Sequence, residues 1–180
     1  MKRVWSLLTA AALLLGSGCA NYRLGTGADP SFATLYIEAA KNKTTLAQSQ
    51  ALVSTLVREA FVRDGRVTVV DSPAEADATL EVTLVNYRRE NAANREDDVG
   101  LARKFTLHLR ASCRLLDNRT GRMLFDGRII EVQRESFTDN GLGSVPFGVS
   151  NDQLQSEYNT LPLLASSLAD KVTHAVLDVW

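Results

Sequence analysis

Only two cysteines and two histidines occur in the 180 residues, and no CxxC or Cys/His spacing among them would hold zinc. There is no GxSxG, no HExxH and no Cys/His constellation, so no motif points to a hydrolase. Neither sign of charge is in excess. The 20 basic and 21 acidic side chains leave a formal net charge of -1, so no whole-molecule field draws in nucleic acid. An anion would have to meet a local basic patch. Beyond residue 15 no apolar run is long enough to span a membrane. What is present is an apolar share of 45%, ordinary for one packed domain and too high for a disordered chain.

The first apolar run is the N-terminal one. Lys2 and Arg3 precede a mostly apolar stretch over residues 4–15, then Gly16, Ser17 and Gly18, then Cys19. Such a run has signal-peptide length. The stretch resembles a bacterial lipoprotein signal, although Gly16 stands where that pattern usually has Leu. The resemblance implies cleavage before Cys19 and a covalent N-acyl diacylglycerol on that residue, with no other cofactor. Each buried methylene contributes about 0.8 kcal/mol, so two or more acyl chains hold a protein stably on a membrane. Ala20 is not the aspartate of an inner-membrane retention signal, which favours the outer membrane. Residues 1–18 are thus read as signal, 19–32 as a lipidated tether rich in Gly, Asp and Pro, and 33–180 as the domain. About 13 tether residues at roughly 3.3–3.6 Å each cross little periplasm, which favours a partner in the same membrane.

Within the domain, "ATLYIEAA" (33–40) alternates as a half-buried strand. Thr45 and Gln48 have the form of a capping box. Leu46, Leu52, Val53, Leu56, Val57, Ala60 and Phe61 then recur on one helical face, and Gly65 is a natural stop. "RVTVV" (66–70) is a short strand and "DSPAEAD" (71–77) a turn. "ATLEVTLVNYRR" (78–89) alternates. "RKFTLHLRASCRLL" (103–116) alternates more cleanly, with Phe105, Leu107, Leu109, Ala111, Cys113 and Leu115 on one face and Thr106, His108, Arg110, Ser112 and Arg114 on the other. "DNRTG" (117–121) is a hairpin turn. The next strand shifts its apolar set from Met123 and Phe125 to Ile130 and Val132, which predicts a bulge near Gly127. A Gly-rich loop leads to a helix marked by Leu161, Leu164, Leu168, Val172, Ala175, Val176 and Val179. Pro162 falls in its first turn after Thr160, or kinks a helix begun near Asn151. The expected fold is α+β. It is a two-layer sandwich with two amphipathic helices on one face of a mixed, mainly antiparallel sheet of about four strands, in the order β-α-β-β-β-β-α with one short strand.

"CANYRLG", "LYIEAAKNKT", "VTVVDSPAEADATLEVTL", "LLDNRTGRMLFDG" and the terminal "VLDVW" resemble, in this order, the lipopolysaccharide-assembly lipoproteins of the LptE family. The resemblance runs over nearly the whole chain after Cys19. "CANY" departs from the Gly directly before the Tyr. It implies a non-enzymatic outer-membrane lipoprotein on the periplasmic side, a plug and folding partner in the lumen of the β-barrel LptD. The pair inserts lipopolysaccharide into the outer leaflet. It also implies lipopolysaccharide binding through basic residues at strand tips.

Arg88 and Arg89 end one strand and Arg103 and Lys104 begin the next, with Arg95 between them. If residues 90–102 are the connecting loop, the four outer cations gather across the hairpin. Like charges opposed in a sheet are destabilising, and guanidinium pairs well with phosphate. Lipid A phosphates fit. Glu90, Glu96, Asp97 and Asp98 could instead neutralise the cations within a solvated loop. In that register Glu81 faces Arg110. His108, on the polar face, reads as a surface residue, Cys113 as a core thiol without a nearby base, and Trp180 as a packing residue. Two other classes stay open: a lipoprotein that activates a cell-wall synthase, and a hydrolase. Mass spectrometry of the native protein should find Cys19 as a triacylated N-terminus. An intact leader, or a bare thiol there, would overturn the anchor.

Overall fold

The computed structural model describes residues 30–46, 48–91, 103–138 and 151–178. Cys19, Arg95 and Trp180 lie outside them. The elements are β1 (Thr34–Ile37), β2 (Lys41–Asn42), α1 (Ser49–Asp64), β3 (Thr68–Val70), a 3-10 turn (Pro73–Glu75), β4 (Ala78–Asn91), β5 (Arg103–Asp117), β6 (Arg122–Thr138) and α2 (Asn151–Leu177). The sheet runs β3-β1-β4-β5-β6, with β2 also on β4. β1 is parallel to β3 and β4, whereas β4, β5 and β6 are antiparallel neighbours. The architecture is the expected α+β sandwich, but the sheet has six strands, not about four. Of the stretch read as a strand over residues 33–40 only Thr34–Ile37 is strand, with Leu35 opposite Ala78; β2, which the sequence reading did not foresee, follows it and pairs Lys41 with Thr83 of the same β4.

The core lies between the helices and one sheet face. On β5, Phe105, Leu107, Leu109, Ala111, Cys113 and Leu115 are all 0–2% exposed. Leu80, Val82 and Leu84 of β4 and Ile130 and Val132 of β6 flank them. Val53, Val57, Ala60 and Phe61 of α1 and Leu164, Leu168, Val172 and Val176 of α2 cover them. Phe32, placed in the tether by the sequence reading, joins this core. Burial pushes the Cys113 thiol up to about 12, so it is the core thiol expected from its place on the strand.

The local signals fared unevenly. Gly65 and Gly127 adopt left-handed backbone, closing α1 and forming the bulge between the Cys113–Arg128 and Leu115–Phe125 pairs. In the β5–β6 turn Asp117 Oδ1 accepts the Arg119 and Thr120 N–H groups at 2.9 and 3.2 Å. The Thr45–Gln48 capping box does not form. Gln48 is the N-cap, in α-region backbone, without a side-chain cap. The turn before α1 is organised by Asn42 instead, whose Oδ1 accepts the Thr44 N–H and whose Nδ2 donates to the Leu46 carbonyl. Pro162 sits inside α2, in agreement with a helix begun near Asn151.

Asp77 fixes the point where the chain enters the domain. Its Oδ2 accepts the Ala33 and Thr34 N–H groups at 3.0 and 3.1 Å, and its own N–H donates to Thr34 Oγ1 at 2.8 Å. The two backbone donors hold its carboxyl below the usual value of 3.8. A depressed pKa stabilises the fold above the unfolded value and loses that stabilisation as pH falls through the folded one. Asp77→Asn should therefore be less stable than the wild type at pH 7, and the gap in urea midpoint should shrink as pH falls below 3.8. A gap that stays constant would contradict the clasp. Leu107→Ala is expected to cost about 2–5 kcal/mol in urea unfolding, and an unchanged midpoint would remove Leu107 from the core.

Candidate functional site

The chain enters the domain beside Asp77, at one end of the long strands. Arg88 and Arg89 lie far along β4 from Ala78, about 33 Å away at some 3.3 Å per residue. They mark the end distal to that entry point. The β4–β5 ladder extends to the Asn91–Phe105 pair, with an irregularity between Leu84 and Asn86. This register puts Arg88 opposite His108 and Arg89 opposite Leu107. Arg103 and Lys104 open β5, opposite Thr138 and Phe137 on β6. The four cations therefore do not meet across a hairpin at Arg88 and Arg103. Arg103 stands five positions beyond the partner of Arg88, about 17 Å along the strand.

Successive strand residues also point to opposite faces. Arg89 lies on the helix side, where it pairs with Glu157 of α2 and sits 5.9 Å from the Phe105 ring centre. Tyr87 donates to the same Glu157 at 3.1 Å, and burial, followed by that carboxylate, pushes its phenol upward. Arg88 lies on the open face, 3.1 Å from Glu90 and 3.5 Å from Glu131. Both arginines are thus neutralised within the protein.

The open face is a lattice of ion pairs across the strands. Lys41 reaches Glu38 and Glu81 at 3.2 and 3.5 Å. Arg114 joins Glu81 at 3.4 Å and Asp126 at 2.7 Å. Arg110 Nε and Nη2 donate to Glu131 Oε2 at 3.1 and 2.6 Å. The Arg110 bonds foremost, with Arg88 and His108 adding to them, hold the Glu131 carboxyl below its ordinary range. Glu81 therefore pairs with Arg114, not with Arg110 as the shorter register implied. His108 is not a surface residue: it is 8% exposed under its charged neighbours. Its Nε2 lies 3.2 Å from Glu90 Oε2, yet forms no hydrogen bond. Pairs this exposed contribute about 0–1 kcal/mol each, so the lattice sets the character of the face more than its stability.

Three cations escaped the sequence reading. Arg128, Arg134 and Lys171 lie along the seam where α2 crosses β6, and each donates to a neutral acceptor. The Ala175 carbonyl accepts from Arg128, Ser167 Oγ from Arg134 and the Glu131 carbonyl from Lys171. Arg89 and Arg134 share one rung, on either side of Leu107. No spacing in the sequence signals this, because the seam joins residues 33 to 47 positions apart. At the end where the chain enters the fold, a shallow cleft of about 340 Å³ is lined by Phe32, Arg66, Asp77 and Arg119. Asp64 and Asp178 already engage its Arg66, and Asp77 and Asp117 lie 3.8 Å from its Arg119. Among the described residues no group of three His, Cys, Asp or Glu side chains could hold a metal ion, and no helix is long and apolar enough to cross a membrane.

The arrangement presents two faces: one balanced and polar, one narrow and cationic. Among curated sequences none matches the chain. Among solved structures, a hypothetical protein from Chlamydia trachomatis is similar in fold, with a TM-score of 0.52 at 12% identity over 80% of this chain and 95% of its own. A minor lipoprotein from Acinetobacter baumannii gives 0.49 at 14% identity, over 79% and 91%. Rare lipoprotein B from Shewanella oneidensis gives 0.45 at 15%, over 79% and 92%. The family model for lipopolysaccharide assembly, LptE, matches residues 32–176, which takes in nearly all of the described fold. By that match the chain belongs to the LptE lipopolysaccharide-assembly family.

Proposed function

We propose that the chain is an outer-membrane lipoprotein, anchored through an acylated Cys19, that plugs and helps assemble the β-barrel LptD. In this reading it is not an enzyme, and the pair inserts lipopolysaccharide into the outer leaflet. Membership of the family supports the reading. The observation that carries it further is the open face of the sheet, where Lys41, Glu81, Arg88, Arg110, Arg114, Asp126 and Glu131 are cross-linked into a balanced lattice. A barrel lumen is polar. A wall of mixed charge can exchange ion pairs with it without stranding a buried charge, and matched polar surfaces fix the register of two partners. A monomer with this face in water gains little from it, since exposed pairs are nearly neutral in energy.

Of the cations expected to meet lipopolysaccharide, Arg88 and Arg89 are held by carboxylates, so a phosphate there would have to displace Glu131 or Glu157. Their double change to Ser is expected to leave the fold intact and to weaken lipopolysaccharide binding only slightly.

Pull-down of the tagged full chain from detergent-solubilised envelopes should recover a large heat-modifiable barrel at one-to-one stoichiometry. Charge reversal of Arg110 and Arg114 to Glu should reduce that recovery. Recovery of a peptidoglycan synthase with no barrel would overturn the proposal.

A further inference from the structure

We propose that the seam between α2 and the free edge of β6 is a binding strip for the phosphate groups of a phosphorylated amphiphile, with Arg128, Arg134 and Lys171 as its donors. The strip deepens the function proposed above and rests on it for which lipid the protein meets.

The first argument is charge. Elsewhere most of the described basic side chains are matched: Arg58 with Asp71, Arg63 with Asp170, Arg66 with Asp64 and Asp178, and the open-face and Glu157 pairs already described. Arg128, Arg134 and Lys171 have no carboxylate within ion-pair distance among the described residues. Lys43 and Arg122 share that lack but stand apart, beyond β2 and at the start of β6. The seam is where unmatched positive charge gathers.

The second argument is preorganisation. Arg128 donates to the Ala175 carbonyl and its guanidinium lies 4.2 Å from the centre of the Phe125 ring. Lys171 Nζ donates to the Glu131 carbonyl at 2.9 Å. Arg134 Nε and Nη2 donate to Ser167 Oγ at 3.0 and 2.6 Å. Each group is held by a neutral acceptor, so it keeps its full charge and has N–H groups to spare. The three contacts recur every third residue of β6 and every fourth of α2, steps of about 10 Å and 6 Å. This is a row of fixed donors, and charge-assisted bonds to phosphate are the strong ones.

The third argument is the apolar neighbour. Leu163 lies one helical turn before Ser167 on the same stripe of α2 as Lys171, and is 62% exposed. Among the described residues β6 is the end strand of the sheet and no further strand covers the row. An amphiphile could set phosphates on the cations and an acyl chain against Leu163.

The test uses the full chain with purified lipopolysaccharide, its enzymatically dephosphorylated form, and phosphatidylglycerol vesicles. The triple variant Arg128→Gln, Arg134→Gln, Lys171→Gln keeps an N–H for each neutral acceptor, so α2 stays docked. It should bind lipopolysaccharide about tenfold more weakly or worse. The dephosphorylated form should bind the wild type and the variant alike. The pair Lys43→Gln, Arg122→Gln should stay within about twofold of the wild type, because its charges lie off the row. Equal loss on phosphatidylglycerol vesicles would support the strip as a site for any phosphorylated lipid. Loss on lipopolysaccharide alone would support it as a lipopolysaccharide site. A folded triple variant that binds as tightly as the wild type, or a control pair that loses as much, would overturn the strip. Should the triple variant lose its thermal transition, the pair Arg134→Gln, Lys171→Gln decides by the same criteria. Barrel recovery by the triple variant separates the two proposals: if it persists while binding is unchanged, only the strip falls.

Discussion

The structure depends on burying one face of β5. Six residues at alternate positions, from Phe105 to Leu115, lose nearly all contact with water between two helices and two neighbouring strands. Burial of the phenylalanine and the three leucines among them contributes roughly 1.5–3 kcal/mol each. A slip of one residue would exchange the leucines for Arg110 and Arg114, so the register is strongly specified. The polar face follows from the same constraint, because the residues between the buried ones must point the other way.

That second face has to manage its charge. Arg110 and Arg114 come with β5, and the carboxylates that match them come from β4 and β6 through Glu81, Asp126 and Glu131. His108 is carried into this lattice and covered by it, although its strand position alone reads as exposed. The near-zero net charge of the chain therefore conceals an uneven distribution. The open face is dense in charge but balanced. The seam at β6 holds fewer charges, and among the described residues no carboxylate matches them. A balanced face suits a polar partner wall, and an unmatched row suits an anion.

Much of this was legible in the residues. The alternation of β5, the helical face around Phe61, the stop at Gly65 and the bulge at Gly127 are local patterns, and local backbone chemistry settles them. The Thr45–Gln48 box is also a local pattern, yet it lost. Asn42, fixed on the sheet by its pairing with Leu84, organises the turn before α1 instead. The pairing of Glu81 needed the true length of β4. The ladder runs on to Asn91, and the irregularity after Leu84 offsets it, so counting back from an assumed loop gave the wrong partner.

By itself the sequence determined the apolar faces of the two helices and the long strands and that one sheet face is polar, because the period of the apolar positions carries that information. Its ordered motifs also pointed to the family that residues 32–176 match. Only the tertiary structure decided which charges are spent and which are free. Whether an arginine meets a carboxylate depends on strand register and on where α2 lies over β6, and both are set by contacts between residues far apart in the chain. For that reason Arg88 and Arg89, adjacent in sequence, end on opposite faces with partners of their own, while Arg128, Arg134 and Lys171 come together in a row.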